Sequence, residues 1–379
     1  MAQNIVILGG GTAGTTVANR LARTLAQEIE KGQVEIHLYG DSAVHLYQPG
    51  YLFVALNMRD LHDFIRPQKS LVHPRVYWHE QAVQALDLQH HRLKTEHHEV
   101  SYDILVIATG SVPNFDFVPG MAEATENFYT PDGAVRLRDR LTRFTEGRIL
   151  IVQDMPHKCP AAPLEITLML DDYFRMRNLR ERVEIQYTYP IGRIHALQSV
   201  ADWALPHFNE RSIHYETYFN MERIDPERKV VLTMDGAEHP FDLLISIPVH
   251  QGAEVIRRSG IGDELGFIPT DRTTLKMIGE EDVYVIGDAT NLPISKAGST
   301  AHYQAEVLVK NITDRIQGRP ETTPYEGKVA CFLESSLGAA SFITFDYNHP
   351  PHPAQASEML HWFKGMYNEL YWLTARGLM

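Results

Sequence analysis

Four short runs of unbroken apolar residues, each ending at a turn, dominate the pattern of this chain. They are Ile5-Val-Ile-Leu8 before Gly9, Ile104-Leu-Val-Ile107 before Ala108, Ile149-Leu-Ile-Val152, and Val283-Tyr-Val-Ile286 before Gly287. Runs this short, bounded by turn signals, predict buried strands of the kind found inside a parallel sheet. Val34-Glu-Ile-His-Leu-Tyr39 alternates apolar and polar positions and predicts a second strand, separated from the first by a helical pattern over 15–30. Near the end, Met359, Phe363, Met366, Leu370 and Leu373 fall at helical spacing on one side, with Trp362 and Trp372 nearby. Such an aromatic-rich amphipathic helix suits a lipid interface. The same pattern also serves docking onto the protein's own core or onto a second subunit.

Length and composition narrow the class. A chain of 379 residues exceeds one ordinary core and predicts two or three packed units, and 44 % hydrophobic with 22 % charged residues is the balance of a folded globular protein. The net charge of −13 argues against broad attraction to nucleic acid. No run reaches the eighteen or so apolar residues of a membrane span. The chain enters a strand at once, so a standard secretion signal is not indicated. Its two cysteines, Cys159 and Cys331, are too few for a stapling framework: they are either unrelated buried thiols or a redox pair brought together by the fold. No metal-ligand pattern is expected.

The first strand runs into Gly9-Gly-Gly11-Thr-Ala-Gly14, a G-x-G-x-x-G turn opening a helix. Gly9 permits the tight turn, Gly11 admits a pyrophosphate, and Gly14 lets helix and strand approach closely. The helix N-terminus adds amide donors for the anion. The second strand should end in a ribose-reading acid, but Gly40 stands there and Asp41 follows, which reads equally as a ribose ligand or a solvated turn residue. Ala108-Thr109-Gly110 and Gly287-Asp288 close two later strands. They resemble motifs of the disulfide-reductase-like flavoproteins, in which the aspartate binds the flavin ribityl chain. The three motifs in this order imply FAD.

A nicotinamide-binding flavoprotein would need a second glycine loop after Ile149-Leu-Ile-Val152, yet no glycine occurs between Gly147 and Gly192. Pro156, Pro160 and Pro163 remove backbone donors where a phosphate cradle would need them, and Cys159 lies among them. Cys159 with its small and proline neighbours and then Glu165 resembles the first active-cysteine region of the sulfide:quinone oxidoreductases. Pro324-Tyr-Glu-Gly-Lys-Val-Ala-Cys331, the following Phe345-Asp-Tyr347, and the Pro293-Ile-Ser-Lys296-Ala-Gly298 turn are similar to later segments of that family. A third cysteine common among bacterial members is missing, which resembles the two-cysteine branch. Arg193 stands where the family often has histidine, and His195, two positions on, reads as a surface or packing residue.

This resemblance implies an α/β fold with two Rossmann-like, glutathione-reductase-like dinucleotide-binding domains and a C-terminal membrane-interface segment. The FAD domain is expected over 1–113 and 244–315, the altered second nucleotide domain over 114–243, and the quinone and membrane region over 316–379. Sulfide would attack the Cys159–Cys331 pair by thiol exchange. The sulfur would go to polysulfide or a small acceptor, and the electrons would pass through FAD to quinone. His157 and Lys158 would lower the Cys159 thiol pKa or simply face solvent. Glu165 would move protons or cap its helix. Phe332, Lys296, Tyr371 and Trp372 would line the quinone site. The setting would be a membrane surface on the cytoplasmic side, with side and homo-oligomer formation left open. Three other readings remain: an NADH:quinone oxidoreductase, the flavin subunit of a cytochrome-linked sulfide dehydrogenase, and an FAD redox sensor that does not turn over.

Overall fold

The computed structural model describes residues 2–379. In chain order its main elements are β1 (Gln3–Leu8), α1 (Thr12–Thr24), β2 (Val34–Gly40), β3 (Tyr77–Glu80), β4 (Ile104–Ile107), β5 (Gly147–Gln153), α2 (Ala162–Met176), β6 (Val183–Tyr189), β7 (His214–Thr217), β8 (Leu243–Ile247), β9 (Val283–Val285), α3 (Gly298–Ile316), β10 (Val329–Glu334), β11 (Ala340–Phe345) and α4 (Glu358–Ala375). Each of the four apolar runs is a strand. The helical pattern after Gly14 is broken at Leu25, where a short second helix, Ala26–Glu30, begins.

The first sheet has the order β9-β4-β1-β2-β3, with every pair parallel. Its central strand is apolar at consecutive positions because both faces are covered. Ile5 and Ile7 pack with Val17, Leu21 and Leu308 on one side. Val6 and Leu8 pack with Leu86, Leu93 and Ile107 on the other. Each such side chain contributes roughly 1.5–3 kcal/mol by leaving water.

The second sheet, β7-β6-β5-β8, is also parallel throughout. It splits its apolar strand in the same way, Ile149 and Ile151 to one core, Leu150 and Val152 to another. Two chain crossings join the units side by side, Ser111–Pro113 pairing antiparallel with His250–Gly252.

The return crossing corrects the boundary expected at 243/244. β8 pairs with Ile149–Gln153, so the second unit runs through Ile247 before the chain turns back. Leu-Leu-Ile-Ser-Ile is buried along its whole length. Such a run would satisfy either sheet, and the apolar pattern alone does not say which one it joins.

After α3 the chain forms the antiparallel β10–β11 hairpin and then α4. Leu333, Ile343, Tyr371 and Ala375 of this segment belong to the same core as the second sheet. The helix end is fastened to α1, where Asn19 donates to the Ala375 carbonyl at 2.6 Å. Among the described residues no helix is long and apolar enough to cross a membrane.

Candidate active site

The glycine turn after β1 is shaped by close approach. Gly9 has φ of +114°, and a Cβ there would lie 2.3 Å from the Ala108 carbonyl oxygen. A Cβ on Gly14 would lie 1.9 Å from the Gly9 oxygen, so only glycine lets α1 pack this tightly. Gly11 is different: nothing lies within 4 Å of where its Cβ would be, and the same is true of Gly110 in the Ala-Thr-Gly turn. The Thr109 hydroxyl of that turn is buried without a hydrogen-bond partner among the described residues. An open cradle over a thirteen-residue helix N-terminus, next to an unsatisfied buried hydroxyl, fits a dinucleotide such as FAD.

Gly40 stands in the place of an acid for a local reason. A Cβ there would fall 2.7 Å from the Trp78 ring, which also flanks Gly10. Asp41 therefore follows the strand and is exposed at the bend.

The third motif is tied to the first cysteine through Lys296. Gly287 takes φ of +68°, and Ser111 donates to Asp288 at 3.2 Å. The Lys296 ammonium donates to the carbonyls of Asp288 and Thr290 at 2.9 and 2.7 Å, and lies 3.8 Å over the Phe267 ring. Burial lowers its pKa to about 8. The Lys296 carbonyl in turn accepts from the Cys159 amide at 2.8 Å. Cys159 is held with φ of +50°, a left-handed backbone that costs a non-glycine residue about 1–3 kcal/mol. Its carbonyl accepts from Tyr129 and from Ala162 at the start of α2. The strain is thus fixed by bonds on both sides of the thiol.

Cys159 and Cys331 are free thiols, both half-buried. Burial, and after it the negative charge of Glu165, pushes each up to about 12, and Cys331 adds to the rise at Cys159. Lys364 pulls both back, and the nearby Ser299 hydroxyl does the same for Cys331. The fold therefore brings the two sulfurs into one electrostatic environment.

Of the two alternatives for His157 and Lys158, the solvent-facing one is overturned, while Lys158 does lie within electrostatic reach of Cys159. Both are buried. His157 donates through Nδ1 to the Asp154 carbonyl at 2.6 Å, and burial lowers its pKa to about 4, which leaves it neutral. Burial also lowers Lys158, against the opposing pull of Asp288. His195 is buried too, not on the surface, and its pKa falls to about 4 for the same reason. With Gln153, whose amide donates to the Thr188 carbonyl at 2.7 Å, these side chains fill the strand ends where a second phosphate loop would open.

Glu165 does more than complement a helix dipole. It lies in the first turn of α2, 4 % exposed, and accepts from the Glu334 amide at 2.8 Å and from the Lys364 ammonium at 2.5 Å. Lys364 is also 3.6 Å from Glu334, which bonds His361 at 2.9 Å. Lys364, Glu334 and His361 carry no motif, and sequence reading missed them. One signal was present: Lys364 is the only lysine or arginine within α4.

Of the four residues expected to line a quinone site, Tyr371 and Trp372 have adjacent rings, 5.1 Å apart, Phe332 joins them through other aromatic side chains, and Lys296 lies at the Gly-Asp motif. Phe332 packs against Phe342 and Tyr367, with ring centroids 5.0 and 6.1 Å away. Tyr371 is 2 % exposed and its hydroxyl is fully engaged. His45 donates through Nδ1 to Gln68, so its Nε2 accepts from Tyr371 at 2.5 Å, while Tyr371 accepts from Thr12 at 2.7 Å. Gln68 reaches Thr15, and Thr15 reaches the Gly10 carbonyl. A closed polar ring thus joins α4 to the glycine turn. Trp372 lies under Arg66, its ring 4.7 Å from the guanidinium, and Lys296 is placed at the Gly-Asp motif. Tyr367 and His302, which stack between Phe332 and Tyr371, also went unread.

α4 buries two polar residues beside Tyr371 and Ala375 and leaves several large apolar ones exposed. Lys364 and Asn368 are buried, while Trp362 is 72 % exposed, Met359 62 %, and Phe363, Met366 and Leu373 are exposed as well.

Comparison with known proteins agrees with this geometry. Residues 3–152 match the family of pyridine nucleotide-disulphide oxidoreductases. The chain is 28 % identical to the mitochondrial sulfide:quinone oxidoreductase of Schizosaccharomyces pombe, over 92 % of this chain and 81 % of that one. It is 26 % identical to the Mus musculus mitochondrial enzyme of the same name, over 92 % and 79 %. In fold it superposes on the sulfide:quinone oxidoreductase from Aquifex aeolicus with a TM-score of 0.87 at 21 % identity, covering 99 % of this chain and 92 % of that one. The resemblance read from the sequence is borne out over nine-tenths of the chain.

Proposed function

We propose that this chain oxidises sulfide and passes the two electrons to a quinone, with FAD as its cofactor. The observation that carries this reading is the convergence of Cys159 and Cys331 on one buried charged cluster, with Cys159 hydrogen-bonded to the lysine that anchors the Gly-Asp motif. Gly9, Gly11 and Gly14 would hold the pyrophosphate, and Ala108, Thr109, Gly110, Gly287, Asp288 and Lys296 would hold the flavin end, with Asp41 placed for the adenosine ribose. FAD, when bound, supplies the two-electron sink that lets the sulfur pair re-form after each attack.

The chain's own residues handle the sulfur. In the oxidised pair, hydrosulfide attacks one cysteine sulfur and the bond to the other breaks. One cysteine then carries the added sulfur as a persulfide and the other leaves as a thiolate. Elevated thiol pKa values make that thiolate a strong base, so a nearby group that can hand it a proton and take one back matters, and Glu165 faces both sulfurs. The persulfide sulfur passes to a small thiol or extends a polysulfide.

The filled strand ends around Gln153, His157 and His195 favour sulfur over NADH as the electron source. The outward apolar face of α4 supports a position at a membrane surface, with quinone entering beside Phe332 and Tyr367. Anaerobic titration tests the reading: sulfide should bleach the flavin at once and NADH should leave it oxidised. Rapid bleaching by NADH would point instead to an NADH-dependent enzyme.

A further inference from the structure

We propose that Glu165, Lys364, Glu334 and His361 form a proton relay from the cysteine pair to the surface beside α4. The inference rests on the sulfide-oxidising reading above and assigns that site an exit for its protons. Oxidising hydrogen sulfide to the sulfane level releases two electrons and two protons, and the electrons leave toward the quinone. A proton taken by Glu165, the buried acid that faces both sulfurs, needs its own route outward.

The four groups form a line with one step wider than a hydrogen bond, between Lys364 and Glu334. Glu165 Oε1 is 2.5 Å from Lys364 Nζ, Lys364 Nζ is 3.6 Å from Glu334 Oε1, and Glu334 Oε2 is 2.9 Å from His361 Nδ1. Glu165 and Glu334 are shielded from water, whereas the His361 side chain is partly exposed in a groove with Trp362, Met366 and Glu369. Glu334 Oε1 is a buried acceptor with no hydrogen-bond partner among the described residues. The Lys364–Glu334 link is therefore an ion-pair contact, and Lys364 closes that gap when it passes a proton on.

Charge favours the same role. Two carboxylates and one ammonium carry a net negative charge in a dry site, and burial followed by the nearness of Glu165 raises Glu334, with Lys364 and His361 opposing. Lys364 remains charged: burial would lower its pKa, but Glu165, Glu334 and Cys159 together hold it above the usual range. The groups facing Glu165 are Cys159, Cys331, Lys364 and Tyr129; those facing Glu334 are Lys364, His361 and Glu165.

A proton taken by Glu165 moves on as Lys364 donates to Glu334 and accepts from Glu165, which restores the ammonium and leaves Glu334 protonated. Glu334 then donates to His361, and His361 releases the proton to water. No bond other than O–H and N–H changes, and the net transfer is one proton outward.

The test uses the FAD-loaded full chain, sulfide, and a short-chain soluble quinone. His361→Ala should slow turnover at least about tenfold near neutral pH. Imidazole in the buffer should restore much of it, because His361 acts at a site open to solvent. Glu334→Gln should slow turnover without imidazole rescue and with a larger solvent deuterium isotope effect, while FAD content and the extent of flavin bleaching by sulfide stay as in the wild type. Wild-type rates and an unchanged pH profile in both variants would overturn the relay, and so would a loss in His361→Ala that imidazole does not repair. If sulfide fails to bleach the wild-type flavin, the sulfide-oxidising reading itself has failed.

Discussion

The ammonium of Lys364 sits 2.5 Å from Glu165, and neither group has appreciable contact with water. A helix facing outward with tryptophan and methionine thus sends its single lysine into the interior, between two carboxylates, one of which, Glu165, neighbours the cysteines. Removing one partner of such a pair strands the others. Lys364→Met should lower stability by about 3–5 kcal/mol, measured as a drop in the chemical denaturation midpoint, because Glu165 and Glu334 lose the buried cation they share. An unchanged midpoint would mean that the cluster does not depend on the buried cation.

Thiol reactivity should follow pH steeply. With burial pushing Cys159 and Cys331 up to about 12, the thiolate fraction of the reduced pair grows about tenfold per pH unit through the accessible range. Alkylation by iodoacetamide in the reduced, sulfide-free protein should therefore rise without a plateau up to about pH 10. A plateau near neutral pH would show that a neighbouring cation stabilises the thiolate far more than this geometry allows.

The glycine turn separates ligand contacts from packing. Gly11→Ala has open space around the new methyl and an ordinary extended backbone. It should keep its fold by circular dichroism yet be purified with little FAD. Gly14→Ala meets the Gly9 carbonyl at 1.9 Å and should lose folded protein along with the cofactor.

Tyr371→Phe should destabilise by about 1–3 kcal/mol, read from thermal unfolding of the apo form, because it leaves the buried His45 Nε2 without its donor. The same ring runs through Gln68 and Thr15 to Gly10, so FAD affinity should fall as well. A loss of quinone turnover with neither change would instead make Tyr371 a direct quinone contact.

Local constraints were the legible part of the chain. Gly9, Gly14 and Gly287 impose backbone conformations or approaches that only glycine meets, so their spacing reports the turn directly. The four apolar strands were legible because burial on both faces erases the usual alternation. The pairing of Cys159 with Cys331 was reached through resemblance, since nothing in either local pattern encodes the shared electrostatic setting of two residues so far apart in sequence. Lys364, Glu334 and His361 were not legible. Each looks like an ordinary polar residue on its own element, and only the packing of α4 against β10 and α2 brings them together. The setting of Lys158 was misread for a related reason: a lysine beside a turn is usually solvated, and here the prolines fold the turn inward.

The most direct test of the account is sulfide-dependent quinone reduction by wild type, Cys159→Ser and Cys331→Ser, with FAD content measured in each. Both variants should retain FAD and lose turnover by roughly a thousandfold or more. Full turnover in either flavin-loaded variant would contradict the paired-sulfur mechanism.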